Sequence, residues 1–340
     1  MRKLLNTLYV TTPEAYLAKD GLNVVVSVNK EELFRIPIMN IEGIVTFGYM
    51  GASPGLMKLC VDNGVSLAFM SPQGRFIGRI QGATQGNVLL RKKQYALSED
   101  ENVSLHLSKL FIVGKIFNSR NILRRFIRDN GMDEEVEYAS KQLDWSRNNV
   151  TEANNMETLR GEEGQAANVY FGVFDHLILH QKSDFSFKGR SRRPPKDEVN
   201  AMLSFVYTLM ANDIAAALES VGLDPYVGFM HTLRPGRTSL ALDMMEELRA
   251  YLGDRLVLSM INRRQVTKKD FIRQSDGSVL MTDNCRKELL NTWQKRKKEV
   301  IEHPYLKEKI PLGLLPYVQA KLLSCFLRDD LDDYPVFLMR

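Results

Sequence analysis

Cysteine is scarce in this chain. Cys60, Cys285 and Cys325 are the only three among 340 residues, and no two form a C-x-x-C pair. That is too few for a disulfide framework and fits a reducing compartment, so a cytoplasmic location is expected. Long hydrophobic runs are missing too: none approaches the ~18 apolar residues of a membrane span, and no membrane partner is expected. The apolar stretch Leu4 to Val10 is interrupted by Asn6 and Thr7, with no small-residue cleavage site behind it, which argues against a signal peptide. There is no Walker phosphate loop, no H-E-x-x-H helix and no zinc-type Cys/His pairing, leaving nucleotide hydrolysis and zinc chemistry unsupported. Charge of one sign is also in short supply: a net +5 is too small by itself to announce a polyanion partner.

What is present is enough apolar material, 44% of residues, for about two packed cores, with 26% charged residues spread throughout. The first hundred residues are short β-rich segments punctuated by glycine: Leu8 to Val10, Asn23 to Val28, Leu33 to Ile36, Ile41 to Phe47, Val65 to Met70 and Phe76 to Ile80. Their β-branched and aromatic residues suit a pleated, half-buried surface. Between two of them, Ser53 to Asn63 reads as a helix, with Ser53 able to cap and Pro54 suited to the first turn. At Ser98 to Asn102 the composition turns acidic and polar, and beyond it helical spacing dominates, as in Ala201 to Leu218, Leu240 to Leu252 and Leu314 to Leu327. The expected fold is α+β: a small N-terminal β-sandwich-like domain over residues 1–97, a linker at 98–103, and a larger all-α catalytic domain over 104–340.

Gly51-Ala52-Ser53-Pro54-Gly55 matches the G-x-S-x-G pattern of a hydrolase nucleophile elbow. The elbow needs the backbone N–H after the serine for its oxyanion hole, and Pro54 has none, so the five residues are read as a helix start.

Glu163 is the most informative residue. The spacing predicts a helix over Leu159 to Gln181, with Leu159, Ala166, Ala167, Tyr170, Phe174 and Leu177 on one stripe, and Glu163 lies on that stripe. An inward-facing carboxylate requires a cationic neighbour or a metal, because leaving it unpaired costs several kcal/mol. The simplest partner is an arginine such as Arg160 or Arg234. His231 sits on a loop flanked by Pro and Gly, where a lone histidine is ordinarily structural or on the surface. Asp243 and Glu246 follow at helical spacing on one face, which taken alone reads as a solvated face together with Glu247. Three carboxylates and one imidazole, with no thiolate, form a donor set suited to Mg²⁺ or Mn²⁺, hard ions that organise phosphate chemistry.

The basic residues point to the same kind of partner because they are clustered. Lys182 to Lys196 holds six cations against Asp184, and Arg286 to Lys298 holds six against Glu288. Arg120, Arg124, Arg125 and Arg128 add a third stripe near Phe117 and Phe126. Such patches neutralise backbone phosphates regardless of sequence and imply salt-dependent DNA binding.

Four stretches then carry a resemblance. They are Leu159-Arg160-Gly161-Glu162-Glu163-Gly164-Gln165-Ala166-Ala167; Arg193-Pro194-Pro195-Lys196-Asp197-Glu198 continuing to Ser204; Gly222-Leu223-Asp224-Pro225-Tyr226 leading to His231; and Ser239-Leu240-Ala241-Leu242-Asp243-Met244-Met245-Glu246. In order and spacing they resemble the CRISPR-associated integrase family Cas1, and their details look most like its type I-C branch. Ile36 to Gly48 and Gly74 to Gly78 resemble the same family's β domain, so the likeness covers essentially the whole chain.

The resemblance implies a β-rich domain that forms a homodimer and a helical domain that holds a divalent metal. It places the motif glutamate at Glu163, the histidine at His231 and the closing acids at Asp243 and Glu246. Many members have aspartate at the last position; glutamate adds a methylene and leaves open direct or water-mediated contact. It further implies assembly with a Cas2 dimer, assistance from a Cas4 nuclease, and insertion of captured double-stranded DNA into the repeat of a CRISPR array. There a DNA 3′-hydroxyl attacks a phosphodiester, while Arg192, Arg193, Arg234 and Arg237 are expected on phosphates near the cut. With water as the attacking group, the same site is an endonuclease. Two other readings stay open from the residues alone: a structure-specific nuclease of DNA repair, and a non-catalytic DNA-binding scaffold whose acids merely form ion pairs.

Overall fold

The computed structural model describes residues 6–82, 88–191 and 194–339. Its backbone gathers into two compact units. One comprises Met1–Gln85 with Met281–Glu299 and Pro311–Leu314; the other comprises Gly86–Leu280, Val300–Ile310 and Leu315–Arg340.

The first unit carries seven strands, β1 (Thr7–Val10), β2 (Tyr16–Asp20), β3 (Asn23–Val28), β4 (Glu31–Pro37), β5 (Gly43–Phe47), β6 (Ser66–Met70) and β7 (Phe76–Ile80), with helix α1 (Pro54–Asp62) between β5 and β6. They form a four-stranded sheet in the order β1-β5-β6-β7 and a three-stranded antiparallel sheet β2-β3-β4. β5 and β6 run parallel, which obliges the chain to cross over, and α1 is that crossover. Ser53 caps it, its hydroxyl accepting from the Leu56 N–H at 3.2 Å, so the G-x-S-x-G serine is a helix cap. Leu17, Val24, Ile38, Ile44, Leu56 and Leu67 are the centre of the core. β2 escaped the sequence reading because only Leu17 of its five residues is buried, too little to create an alternating pattern.

The second unit is mostly helical: α2 (Val88–Glu99), α3 (Glu101–Asn130), α4 (Glu134–Glu152), α5 (Met156–Gly172), α6 (Glu198–Ser220), α7 (Ser239–Arg249), α8 (Arg255–Asn262) and, after α9 (Asp283–Lys297) of the first unit, α10 (Leu315–Leu327); the range expected to be all-α also holds short paired strands at Phe271–Arg273 with Val279–Met281 and at Val300–Glu302 with Lys309–Pro311. The stretch 98–103, expected as a linker, is the junction of α2 with α3, where the Asp100 side chain accepts from the N–H groups of Asn102 and Val103. By length and composition α6 would pass for a membrane span, which the sequence reading did not anticipate. Yet 67% of its apolar window is buried, and it packs against α7 and α10 as a core helix.

The helix expected over Leu159 to Gln181 ends early. α5 stops at Gly172 and a 3₁₀ turn, Phe174–Leu177, follows. The Asp175 carboxylate takes the Phe187 N–H at 2.6 Å, turning the chain back, while Tyr170, Phe174 and Leu177 all remain buried. The apolar stripe therefore continues through the break, and periodicity cannot reveal it. α7 runs through a π turn, Ala250–Asp254, into α8, an insertion typical of functional sites.

α3 approaches α7 closely at Gly114, where a Cβ would lie 2.6 Å from Val336 Cγ2 and 2.8 Å from Glu247 Cβ. Only glycine lets these backbones pass.

Candidate active site

Three helices of the second unit and one loop build the site. α5 presents Glu163, α3 presents Lys115, α7 presents Asp243, Glu246 and Arg249, and the loop before α7 presents His231.

Asp243 is fully buried and acts as the anchor of that loop. Its Oδ2 accepts the N–H groups of Phe229 at 2.7 Å and Met230 at 3.1 Å; its Oδ1 accepts the His231 N–H at 3.0 Å and faces His231 Nδ1 at 2.6 Å. A carboxylate has about four lone-pair positions, and here all are in use. Facing a carboxylate, Nδ1 is the donor of this pair, and Nε2 is the ring nitrogen left without a bond to Asp243. Gly228 makes this wrapping feasible, since a Cβ there would sit 2.5 Å from Asp243 Oδ2. Arg160 Nη2 adds a bond to the Met230 carbonyl at 3.1 Å, tying α5 to the same loop.

Glu163 and Glu246 meet on one cation. The Lys115 ammonium bonds Glu163 Oε1 and stands 3.0 Å from Glu246 Oε2, while Arg249 Nη2 holds the same Glu246 oxygen at 2.5 Å. Burial by itself raises the Glu246 carboxyl, but Arg249, Lys115 and His231 outweigh it and hold it down at about 2. Glu246 is therefore ionised at every physiological pH. Arg249 in turn lies over the Tyr207 ring at 5.3 Å from its centroid, and the Tyr207 and Tyr170 hydroxyls both donate to Asp254 in the π turn.

Several expectations need correction here. Glu163 faces inward as its stripe implied, but its partner is Lys115, not Arg160 or Arg234. Asp243, Glu246 and Glu247 are buried, so the solvated-face reading of these acids is wrong. The four expected ligands fall into two pairs, Glu163 with Glu246 and His231 with Asp243; among the described residues no three His, Cys, Asp or Glu side chains stand together as a ready cation cage. Asp243, with its acceptors filled, holds His231 and is not free to be a fourth ligand.

Lys115 and Arg249 were missed. The signal for Lys115 was of the same kind as that for Glu163, a lone charge on an apolar helix face, here beside Phe111, Ile112 and Ile116.

The basic clusters are less open than their composition suggests. Arg190 bonds Asn200 and lies over Tyr207, Arg286 pairs with Asp283, Arg296 with Glu299, and Arg120 with Asp144. Arg125 and Arg128 both bond Asp129. Arg192 and Arg193 lie outside the described residues. Arg234 is exposed and Arg237 half-buried, both on the loop that follows His231.

The family model described as CRISPR associated protein Cas1 matches residues 8–295. The chain is 48% identical over 343 residues to CRISPR-associated endonuclease Cas1 1 of Chlorobaculum tepidum, covering 100% of both. It is likewise 48% identical to CRISPR-associated endonuclease Cas1 2 of Rhodospirillum rubrum, covering 98% of each. It is 34% identical to a Cas4/Cas1 fusion of Geobacter sulfurreducens, matching 98% of this chain and 60% of the fusion. Among solved structures, a casposase bound to integration product shares the fold at TM-score 0.82 and 20% identity, covering 98% of this chain and 95% of that one. A Cas6-RT-Cas1–Cas2 complex shares it at TM-score 0.81 and 20% identity over 98% of this chain and 36% of that one. The length and identity of these matches, together with the paired acids and the anchored histidine, establish that the chain belongs to the Cas1 family of CRISPR-associated proteins.

Proposed function

We propose that this chain is the divalent-metal-dependent endonuclease and integrase of CRISPR adaptation, and that Glu163, Glu246 and His231 Nε2 hold Mg²⁺ or Mn²⁺. The observation that carries the reading is the convergence of two carboxylates, from α5 and α7, on a single positive charge, with an imidazole oriented beside them. The donor set suits such an ion: an internal cation already stands between the two glutamates, Glu246 is ionised, and the carboxylate–imidazole pair matches the usual support for a metal-binding histidine.

When bound, the ion supplies electrophilic stabilisation of charge developing on phosphate oxygens. The residues of the chain do the rest. Asp243 fixes the tautomer and direction of His231, and Arg249 keeps Glu246 in place and ionised. Arg234 and Arg237, on the loop leading from His231 into α7, are positioned to hold the DNA backbone near the cut, with Arg192 and Arg193 assigned the same role. A 3′-hydroxyl of the captured DNA attacks the phosphorus of a repeat phosphodiester and gives up its proton as the new P–O bond forms, while the bond from that phosphorus to the neighbouring nucleotide's 3′-oxygen breaks and the freed oxygen takes up a proton to leave as a 3′-hydroxyl. Water in its place gives hydrolysis.

The partners follow from the same reading. Exposed Leu33, Phe34 and Met39, on β4 and just after it, support homodimerisation through the first unit. A Cas2 dimer completes the integration complex, Cas4 assists it, the motif details support the type I-C branch, and the scarcity of cysteine supports action in the cytoplasm.

A half-site integration assay with labelled DNA tests this. Chelation or E163A abolishes strand transfer while DNA binding persists. Unchanged transfer in either case overturns the metal site on Glu163, whereas DNA binding with no transfer by the wild-type chain favours the scaffold.

A further inference from the structure

We propose that Lys115 is a built-in counter-ion that occupies the metal position of the metal-free site and must leave it for the metal to bind; this rests on the reading that Glu163 and Glu246 hold a divalent cation. Lys115 is 7% exposed and lies in the middle of a 30-residue helix, among Phe111, Ile112 and Ile116. A buried lysine needs a carboxylate partner, and this one has two, on different helices, both belonging to the site. Without it, Glu163 and Glu246 would face each other with Arg249 left to offset them. An ammonium and a divalent ion cannot both contact the same oxygens, since like charges a few ångströms apart repel strongly in a buried site. The cation that keeps the metal-free site assembled is therefore a competitor for the loaded one.

The fold gives the ammonium somewhere to go. Lys115 also lines a cavity whose wall includes Ser119, Tyr170, Arg249 and Asp254. Withdrawal towards this cavity takes the ammonium to a wall that carries another buried carboxylate, Asp254. Lys115 is thus a positioning residue: it sets the spacing of α5 and α7 before metal arrives and tunes the affinity with which metal is taken up.

The test is binding. Mn²⁺ is titrated calorimetrically into the metal-free full chain, as wild type, K115R and K115M, and the melting midpoint of each is recorded with and without Mn²⁺. K115M should bind Mn²⁺ about tenfold tighter than wild type, the size of an ordinary coupling between two ligands, with K115R close to wild type. The metal-free midpoint of K115M should fall and recover when Mn²⁺ is added. Equal or weaker Mn²⁺ binding by K115M overturns the role of Lys115 and leaves the metal reading intact. No Mn²⁺ binding by wild type overturns both. Should K115M not fold, K115Q, whose neutral amide still donates to a carboxylate, takes its place in the same comparison.

Discussion

Two neighbouring glutamates on α7, Glu246 and Glu247, are both buried, yet they belong to opposite regions of the helical unit. Glu246 faces the cations of the site. Glu247 faces a clasp of neutral donors: Gln319 Nε2 at 3.0 Å, the Tyr334 hydroxyl and the Phe337 N–H. Asn118 of α3 closes the clasp by donating to the carbonyls of Glu247 at 2.7 Å and Phe337 at 2.8 Å. The consequence is electrostatic. Cations hold the Glu246 carboxyl down at about 2, whereas burial pushes Glu247 up to about 7 against the pull of its hydrogen bonds. Hydrogen bonds from neutral groups satisfy a carboxylate geometrically but do not replace a countercharge. One residue apart, the chain keeps an acid for binding a cation and an acid for fastening its C-terminal segment.

The largest effect should come from breaking the site side. E246Q removes one of the two charges that converge on the cation, and strand transfer should vanish in the half-site assay while the clasp keeps the fold intact by circular dichroism. H231A should behave alike; an unfolded product would instead make His231 structural.

Breaking the clasp side should do the reverse. E247A strands the Tyr334 hydroxyl and Phe337 N–H without their acceptor, and thermal unfolding should show a loss of about 3 kcal/mol. If E247A melts like wild type, the clasp contributes nothing.

The two acids respond to pH in opposite directions. Because folding raises the Glu247 pKa from its ordinary 4.5 to about 7, the stability it contributes is fully present below pH 4.5 and fades as pH rises through 7, by about 3 kcal/mol. Glu246 is depressed, so its contribution is present above pH 4.5 and fades as pH falls towards 2. E247Q should flatten the unfolding free energy between pH 4.5 and 7; a slope equal to that of wild type refutes the neutral clasp.

The smallest effect lies outside both regions. R234A or R237A should weaken duplex DNA binding modestly and lower the salt slope by about 1 for each phosphate no longer neutralised. Titration at several salt concentrations reads this directly.

Much of this was legible before folding. Glycine spacing and β-branched runs marked most of the strands, the Ser53-Pro54 start marked α1, and an acid on an apolar stripe marked Glu163. What escaped was whatever depends on meetings between distant residues. α5 ends where Asp175 reaches Phe187, and a continuous apolar stripe hides that end. Asp243, Glu246 and Glu247 resemble a solvated face when only their own helix is considered, because nothing local announces Lys115, the His231 loop or the C-terminal clasp.

Residue type and short-range spacing were enough to divide the chain into strand-rich and helical parts, to point to the family, and to single out the acids and the histidine that carry its chemistry. A linear pattern preserves such information. It took the folded arrangement to show that Asp243 serves His231, that Glu163 and Glu246 share Lys115, and that Glu246 and Glu247 take opposite electrostatic surroundings to their tasks. A side chain's partners and its proton affinity depend on what long-range packing brings within a few ångströms, and that distance is written nowhere along the chain.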